Sequence, residues 1–268
     1  MKDFWIVAIL WLVLSVIGEY VVGILIQSWP PMAALQGQIT ARADFVLLRI
    51  GVVVFVLVTL LIFYSAFRWR TKPDDTRDSA HQKKMNPWFA WSWLTFSAVL
   101  NVLFIIYPGV TGLSELWTIE NDARTGSGPL EVDVTAQQWQ WTFSYPEYNL
   151  EDKTSLILPT DRPVQFVLKT KDVIHSFWVP AFGIKRDVIP GETTRLLITP
   201  TMVTSTADDP MVRVQCAELC GVGHADMRAP VKILSQDNFT AWIKDQKGGE
   251  GGMQMGMNSS GTNQQGGT

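Results

Sequence analysis

CAELCGVGHADM, running from Cys216 to Met227, brings two thiols, an imidazole and a thioether into twelve consecutive residues. Cys216 and Cys220 are the only cysteines of the 268-residue chain, and His224 is one of three histidines. Thiolate, imidazole and thioether together form the donor set that soft copper selects. A structural zinc site is usually completed by four Cys and His donors and has no use for the methionine. A second imidazole, His175, stands about forty residues upstream in DVIHSFWVPAF, from Asp172 to Phe182. Two Cys, two His, one Met and nearby backbone carbonyls suffice to hold two copper ions rather than one. Glycines at 221 and 223 are expected to let the loop fold back, so that His224 and Met227 reach the same centre. Taken singly, a buried Cys or Met is ordinary core and a lone His is ordinary structure; the joint pattern outweighs those readings. With every donor supplied by protein, no position stays open for substrate. The site therefore suits electron transfer better than catalysis.

The residues around this loop set its scaffold. Between Leu130 and Leu234 the chain alternates in short runs: Leu130–Thr135, Val164–Leu168, Thr194–Ile198 and Val212–Gln215. Turn signals at Leu158–Asp161 and Ile189–Glu192 separate them. Short alternating runs at this spacing predict an antiparallel sandwich or barrel, and the segment is long enough for one such domain. An amphipathic helix over Gln236–Lys247 is expected to close it, with Phe239 and Trp242 facing inward. Residues 248–268, rich in Gly, Met, Asn and Gln, read as a disordered tail.

The first 117 residues have a different character. Three apolar stretches, near Phe4–Gln27, Phe45–Trp69 and Trp88–Trp117, are long enough to cross a bilayer, which takes about 20 residues. Trp5, Trp29, Trp69, Trp88, Trp91, Trp93 and Trp117 mark their ends, as expected where amphipathic rings meet head groups. Arg68, Arg70, Lys72, Arg77, Lys83 and Lys84 gather between spans two and three, whereas the loop after span one offers only Arg42. The positive-inside rule then puts residues 70–87 in the cytoplasm and everything from about Thr118 on the outer face. Span one exceeds a signal-peptide core in length, and no clear small-x-small cleavage site follows it, so a retained helix is expected. Glu19 within it is expected to face a partner helix or a polar pocket. Arg49 and Glu115 are expected to snorkel at span ends. The expected organisation is thus an N-terminal span over 1–30, a helical hairpin over 45–117, a β-domain over 118–247 and the tail.

Charge excludes some functions. The net charge is −3, without the basic excess that would suggest nucleic acid. Residues 118–247 hold 13 basic and 17 acidic residues, a balance of −4 that could steer a basic partner. The C-x-x-x-C spacing is not a thioredoxin-type C-x-x-C, no C-x-x-C-H attaches haem, and two cysteines are no disulfide framework.

Taken together these segments resemble subunit II of the haem–copper oxidases, of the cytochrome c oxidase type. CAELCGVGHADM is similar to that family's binuclear CuA loop, and DVIHSFWVPAFGIKRDVIPG (Asp172–Gly191) to the segment carrying its first histidine ligand. AQQWQWTFSYP (Ala136–Pro146) resembles the aromatic segment through which electrons arrive. The resemblance implies a cupredoxin-like Greek-key sandwich on a membrane hairpin, with span one extra. It implies that Cys216 and Cys220 bridge two coppers, that His175 and His224 each ligate one, and that Met227 and the Glu218 carbonyl are weak ligands. The Glu218 side chain would bind magnesium or manganese at the boundary with subunit I, and Trp139 would accept electrons from cytochrome c. The implied function is an electron-relay subunit of a bacterial respiratory oxidase. Its haem-bearing subunit I, in the same bilayer, would reduce oxygen to water and pump protons.

Some positions depart from the family pattern. Gln140 stands where Tyr is usual between the two tryptophans, Gln137 where His is common, and Asp226 where Tyr is frequent. An E-x-x-W-T-x-x-P pattern is not evident in span three. These departures indicate a divergent branch and leave the donor open between cytochrome c and a small copper protein. The copper subunit of a haem–copper nitric oxide reductase would carry the same module. A membrane-anchored copper-binding protein would instead carry exposed, labile ligands. A quinol oxidase subunit would lack the ligands that are all present here.

Overall fold

The computed structural model describes residues 2–70, 86–126 and 128–258. These divide into two compact units, residues 1–30 with 39–116 and residues 31–38 with 117–268.

Three segments among the described residues are long and apolar enough to cross a membrane, Lys2–Gln27, Leu35–Arg68 and Pro87–Thr125, and most of their residues fall in the first unit. Helix α1 (Lys2–Gln27) packs on α2 (Leu35–Arg68): the Trp11 indole N–H donates to the Val53 carbonyl at 3.0 Å. Span three is not one helix, as its apolar run suggested. Helix α3 (Pro87–Phe104) and helix α4 (Thr111–Thr125) flank a break, with Tyr107 extended at φ −135°, ψ 123°. Pro108 explains it, since proline lacks an N–H and drives the preceding residue out of the helical region. Arg42 lies inside α2, not in the preceding loop. Rather than snorkelling alone, Glu115 accepts from Arg42 at 2.6 Å. The basic loop expected over 70–87 falls mostly outside the described residues.

The second unit is a β-sandwich. One sheet comprises β1 (Leu130–Gln137), β2 (Gln140–Tyr145), β3 (Leu150–Lys153), β5 (Val164–Thr170) and β8 (Thr194–Ile198), in the order β3-β2-β1-β5-β8. The other comprises β4 (Leu156–Pro159), β6 (His175–Val179), β7 (Ile184–Val188), β10 (Arg213–Cys216) and β11 (Arg228–Leu234), in the order β4-β11-β10-β6-β7, with β9 (Thr204–Ser205) on β11. Pairing is mostly antiparallel, but β1 runs parallel to β5 and β4 to β11. Alternation in the sequence becomes alternation across the sheet: Leu130, Val132, Val134 and Ala136 of β1 face the core. Phe143, Phe166 and Phe177 fill the space between the sheets with no exposed surface. Buried Tyr145 keeps its hydroxyl satisfied, donating to the Ile157 carbonyl at 2.9 Å and accepting from the Ile157 N–H at 2.8 Å.

Helix α5 (Gln236–Asn258) closes one side. Phe239 and Ile243 are buried, and Trp242 meets Tyr145 edge-on at 5.4 Å. The helix runs past Lys247 into the segment read from composition as disordered, and residues 259–268 lie outside those described. Once packing anchors the first turns, each added residue extends an existing helix rather than nucleating one.

Residues 31–38, outside the β-domain expected over 118–247, belong to the sandwich. Ala33 donates to the Ala181 carbonyl at 2.7 Å and accepts from the Thr201 N–H at 2.9 Å; Leu35 donates to the Thr199 carbonyl at 3.0 Å. The Gln36 side chain accepts from the Thr199 N–H at 2.9 Å, and Ala33 and Ala34 are fully buried. Gly37 is required for steric reasons: a Cβ there would lie 2.4 Å from the Phe182 carbonyl oxygen. Backbone cannot yield as a side-chain tip can. Gly37→Ala is therefore expected to destabilise the sandwich by about 1–3 kcal/mol, the usual cost of overpacking. Denaturant titration followed by tryptophan fluorescence would show it, and an unchanged midpoint would contradict the close fit of this strap.

Candidate metal centre

The twelve-residue loop joins adjacent antiparallel strands, so its two ends must meet. They do so through the Cys216 N–H, which donates to the Met227 carbonyl at 3.1 Å. On the other flank β10 pairs with β6, with Cys216 opposite Phe177, and this brings His175 at the start of β6 beside the loop. Inside the loop, His224 N–H donates to Gly221, Asp226 N–H to Gly223 and Met227 N–H to His224. These tight turns carry His224 and Met227 back over the cysteines.

The donor atoms converge. The sulfurs of Cys216 and Cys220 are 3.7 Å apart. His175 Nδ1 lies 3.8 Å from Cys216 Sγ, and His224 Nδ1 lies 3.5 Å from Cys220 Sγ. Met227 Sδ is 3.8 Å from Cys220 Sγ, and the Glu218 carbonyl oxygen is 3.2 Å from Cys216 Sγ. A first-row metal sits about 2.0 Å from an imidazole nitrogen and about 2.3 Å from a thiolate sulfur. Donors 3.5 to 3.8 Å apart then subtend roughly 110–125° at a shared ion, an unstrained angle. The residues thus fit a soft metal, and the His, Cys, Cys and Met donors are consistent with a copper site. His175 and Met227 have no exposed surface, and both cysteines are buried. Burial, with the Cys216 thiol's hydrogen bond next, pushes the Cys220 thiol up to about 12. Its proton must leave when a metal binds.

Asp172 sets the tautomer of His175. Its Oδ1 lies 2.8 Å from His175 Nε2. Burial works against charge on Asp172, but donation from the Gln138 N–H, the His175 ring, the Val173 N–H and the Thr170 hydroxyl outweighs it. Together they hold the carboxyl at about 2. An ionised carboxylate only accepts, so Nε2 carries the hydrogen and the Nδ1 lone pair faces Cys216. This partner was missed in the sequence, although a carboxylate three residues before a candidate ligand His is the signal for it.

Trp139 is 39% exposed and lies against the same loop. Its indole N–H donates to the Cys220 carbonyl at 3.2 Å, and the Gln138 side-chain amide donates to the same oxygen at 2.8 Å. Gly221 has φ +115°, as its expected role requires. Gly223 has an ordinary φ of −92°; its purpose is space, because a Cβ there would lie 2.5 Å from the Trp139 ring. That corrects the chain-reversal role expected for Gly223. Buried Trp141, also unassigned from sequence, donates to the Met227 carbonyl at 3.4 Å and meets His175 edge-on at 6.1 Å. The Glu218 side chain is exposed.

Comparison with known proteins gives the same picture. The family model for the cytochrome c oxidase subunit II periplasmic domain matches residues 149–234. The chain is similar to the alternative cytochrome c oxidase subunit 2 of Bradyrhizobium diazoefficiens, 30% identical over 249 residues, covering 82% of this chain and 84% of that relative. It is also 30% identical over 200 residues to cytochrome c oxidase subunit 2 of Alkalihalophilus pseudofirmus. That match covers 73% of this chain but only 56% of the relative. Among solved structures it is similar to the periplasmic domain of subunit II of the cytochrome oxidase of Bradyrhizobium japonicum, at 25% identity and a TM-score of 0.39, covering 44% of this chain and 93% of that one. A sandwich that converges two Cys, two His and a Met, and a relative matched over most of both lengths, lead to one conclusion: this chain belongs to the cytochrome c oxidase subunit II family.

Proposed function

We propose that the chain is the electron-relay subunit of a terminal oxidase. It takes single electrons near Trp139 from cytochrome c or a small copper protein, and passes them to haem in a partner subunit I that reduces oxygen and pumps protons. Two copper ions would be held by His175, Cys216, Cys220, His224, Met227 and the Glu218 carbonyl, and when bound they supply one-electron redox capacity. One observation carries this reading. The two sulfurs lie 3.7 Å apart, and each has its own imidazole and its own weak donor: His175 and Glu218 O beside Cys216, His224 and Met227 beside Cys220. One ion has no use for two complete half-sites.

The protein's own contribution is rigidity and a route. Strand β6 holds His175, strand β10 holds Cys216 and the closed base of the loop holds Met227 before any metal arrives, so little rearrangement accompanies a change of charge. Burial of the donors weighs against a storage or delivery role, which needs exposed, exchangeable ligands. Leu219 (79% exposed) and Val222 (95%) face outward from the loop, apolar surface that suits protein partners. Exposed Glu218 is available to complete a magnesium or manganese site with a partner subunit. The basic residues between spans two and three support an orientation with the sandwich on the outer, periplasmic face of a bacterial membrane.

The test is metal loading of the full chain in detergent, because residues 31–38 are part of the sandwich. Two coppers per chain are expected, with a purple mixed-valence spectrum in which one unpaired electron is shared by two copper nuclei. One copper per chain, a blue spectrum or a preference for zinc would overturn the reading.

A further inference from the structure

The geometry points to Asp172 as a positioning residue that ties the ring of His175 to the Gln138–Trp139 turn, so that one carboxylate aligns a metal ligand and the electron-accepting indole together. Its two oxygens face different ways. Oδ1 takes His175 Nε2 at 2.8 Å, the Val173 N–H at 2.7 Å and the Thr170 hydroxyl at 3.2 Å. Oδ2 takes the Gln138 N–H at 2.7 Å. The turn held in this way then returns to the metal loop, because the Gln138 amide and the Trp139 indole both donate to the Cys220 carbonyl. The chain of contacts therefore runs from His175 through Asp172 and the turn to Cys220, and it closes where His175 and Cys220 flank Cys216. Lys171 N–H, donating to the Ala136 carbonyl at 3.0 Å, fixes the backbone on either side of the link. An acceptor-only group with two outward oxygens is what two separate N–H donors need; no neutral side chain of the same size offers it.

The asparagine variant separates the two roles by chemistry. Asp172→Asn has one oxygen and one NH2. Three donors already converge on the Oδ1 position, so the oxygen stays there and the NH2 is left facing the Gln138 N–H, donor against donor. The His175 contact survives and the turn is released. Asp172→Ala loses both.

That Trp139 receives electrons rests on the reading above, but the link itself is measurable without metal. The full metal-free chain would be labelled with 15N at histidine and tryptophan, with the Trp139 indole signal assigned by its loss in Trp139→Phe. In Asp172→Asn, exchange of the Trp139 indole hydrogen is expected to quicken by roughly 10-fold, from the loss of a hydrogen bond and the facing donors. The Nε2–H tautomer of His175 is expected to persist. In Asp172→Ala, both the indole protection and the fixed tautomer are expected to go. Circular dichroism would check the fold of each, and the asparagine variant suffices if the alanine variant does not fold. Unchanged indole protection in a folded variant of either kind overturns the proposal. Failure of the copper reading would show instead in the copper content of the unmodified chain.

Discussion

Cys220→Ser is expected to leave a folded chain that retains at most one copper and shows no mixed-valence spectrum, with retention against a chelator weakened roughly 100-fold or more. Cys220 Sγ stands among three other donors: Cys216 Sγ, His224 Nδ1 and Met227 Sδ all lie within 3.8 Å of it. A hydroxyl is a poor ligand for soft copper and stays protonated at neutral pH. On the proposed reading its loss removes a sulfur shared by two ions, and His224 and Met227 lose the thiolate beside them. The fold has no such dependence. The loop is closed at its base by a backbone bond from Cys216 to Met227, and the strand pairs on either side use no thiol. Copper analysis, electron paramagnetic resonance and circular dichroism on the same sample would separate the effects. Two coppers with a shared electron in this variant would refute the bridging role of Cys220.

Gly223→Ala tests a different step. Its Cβ would lie 2.5 to 2.8 Å from three atoms of the Trp139 ring, so the indole must shift and its bond to the Cys220 carbonyl must break. Electron uptake from a reduced donor is expected to slow by roughly 10-fold, since small misplacements of reacting groups have large effects on rate. Copper content should hold, because Gly223 offers only backbone groups to the loop, its carbonyl accepting from the Asp226 N–H, and the methyl removes none of the sulfur or imidazole donors. Trp139→Phe should slow uptake in the same way. If both act through the indole, the double variant will be no slower than Trp139→Phe alone, a non-additivity expected of residues in contact. Stopped-flow reduction of the copper-loaded chain would measure it; additive effects would place the influence of Gly223 elsewhere.

Donor types, strands and apolar spans are legible in the residues alone, because each depends on chemistry or periodicity within a few neighbouring positions. Cys216, Cys220, His224 and Met227 share one loop and could be read together. So could the alternation of β1 and the length of the apolar runs. Which imidazole meets which sulfur emerges only in the folded chain, since the nearness of His175 to Cys216 depends on the register of β6 against β10. The same holds for Asp172 serving both His175 and the Gln138 turn, for Gly223 making room for an indole more than eighty residues away, and for residues 31–38 completing the sandwich. These are contacts between segments distant in sequence. They follow from strand pairing and steric fit, and neither leaves a periodic mark on the residues that make them.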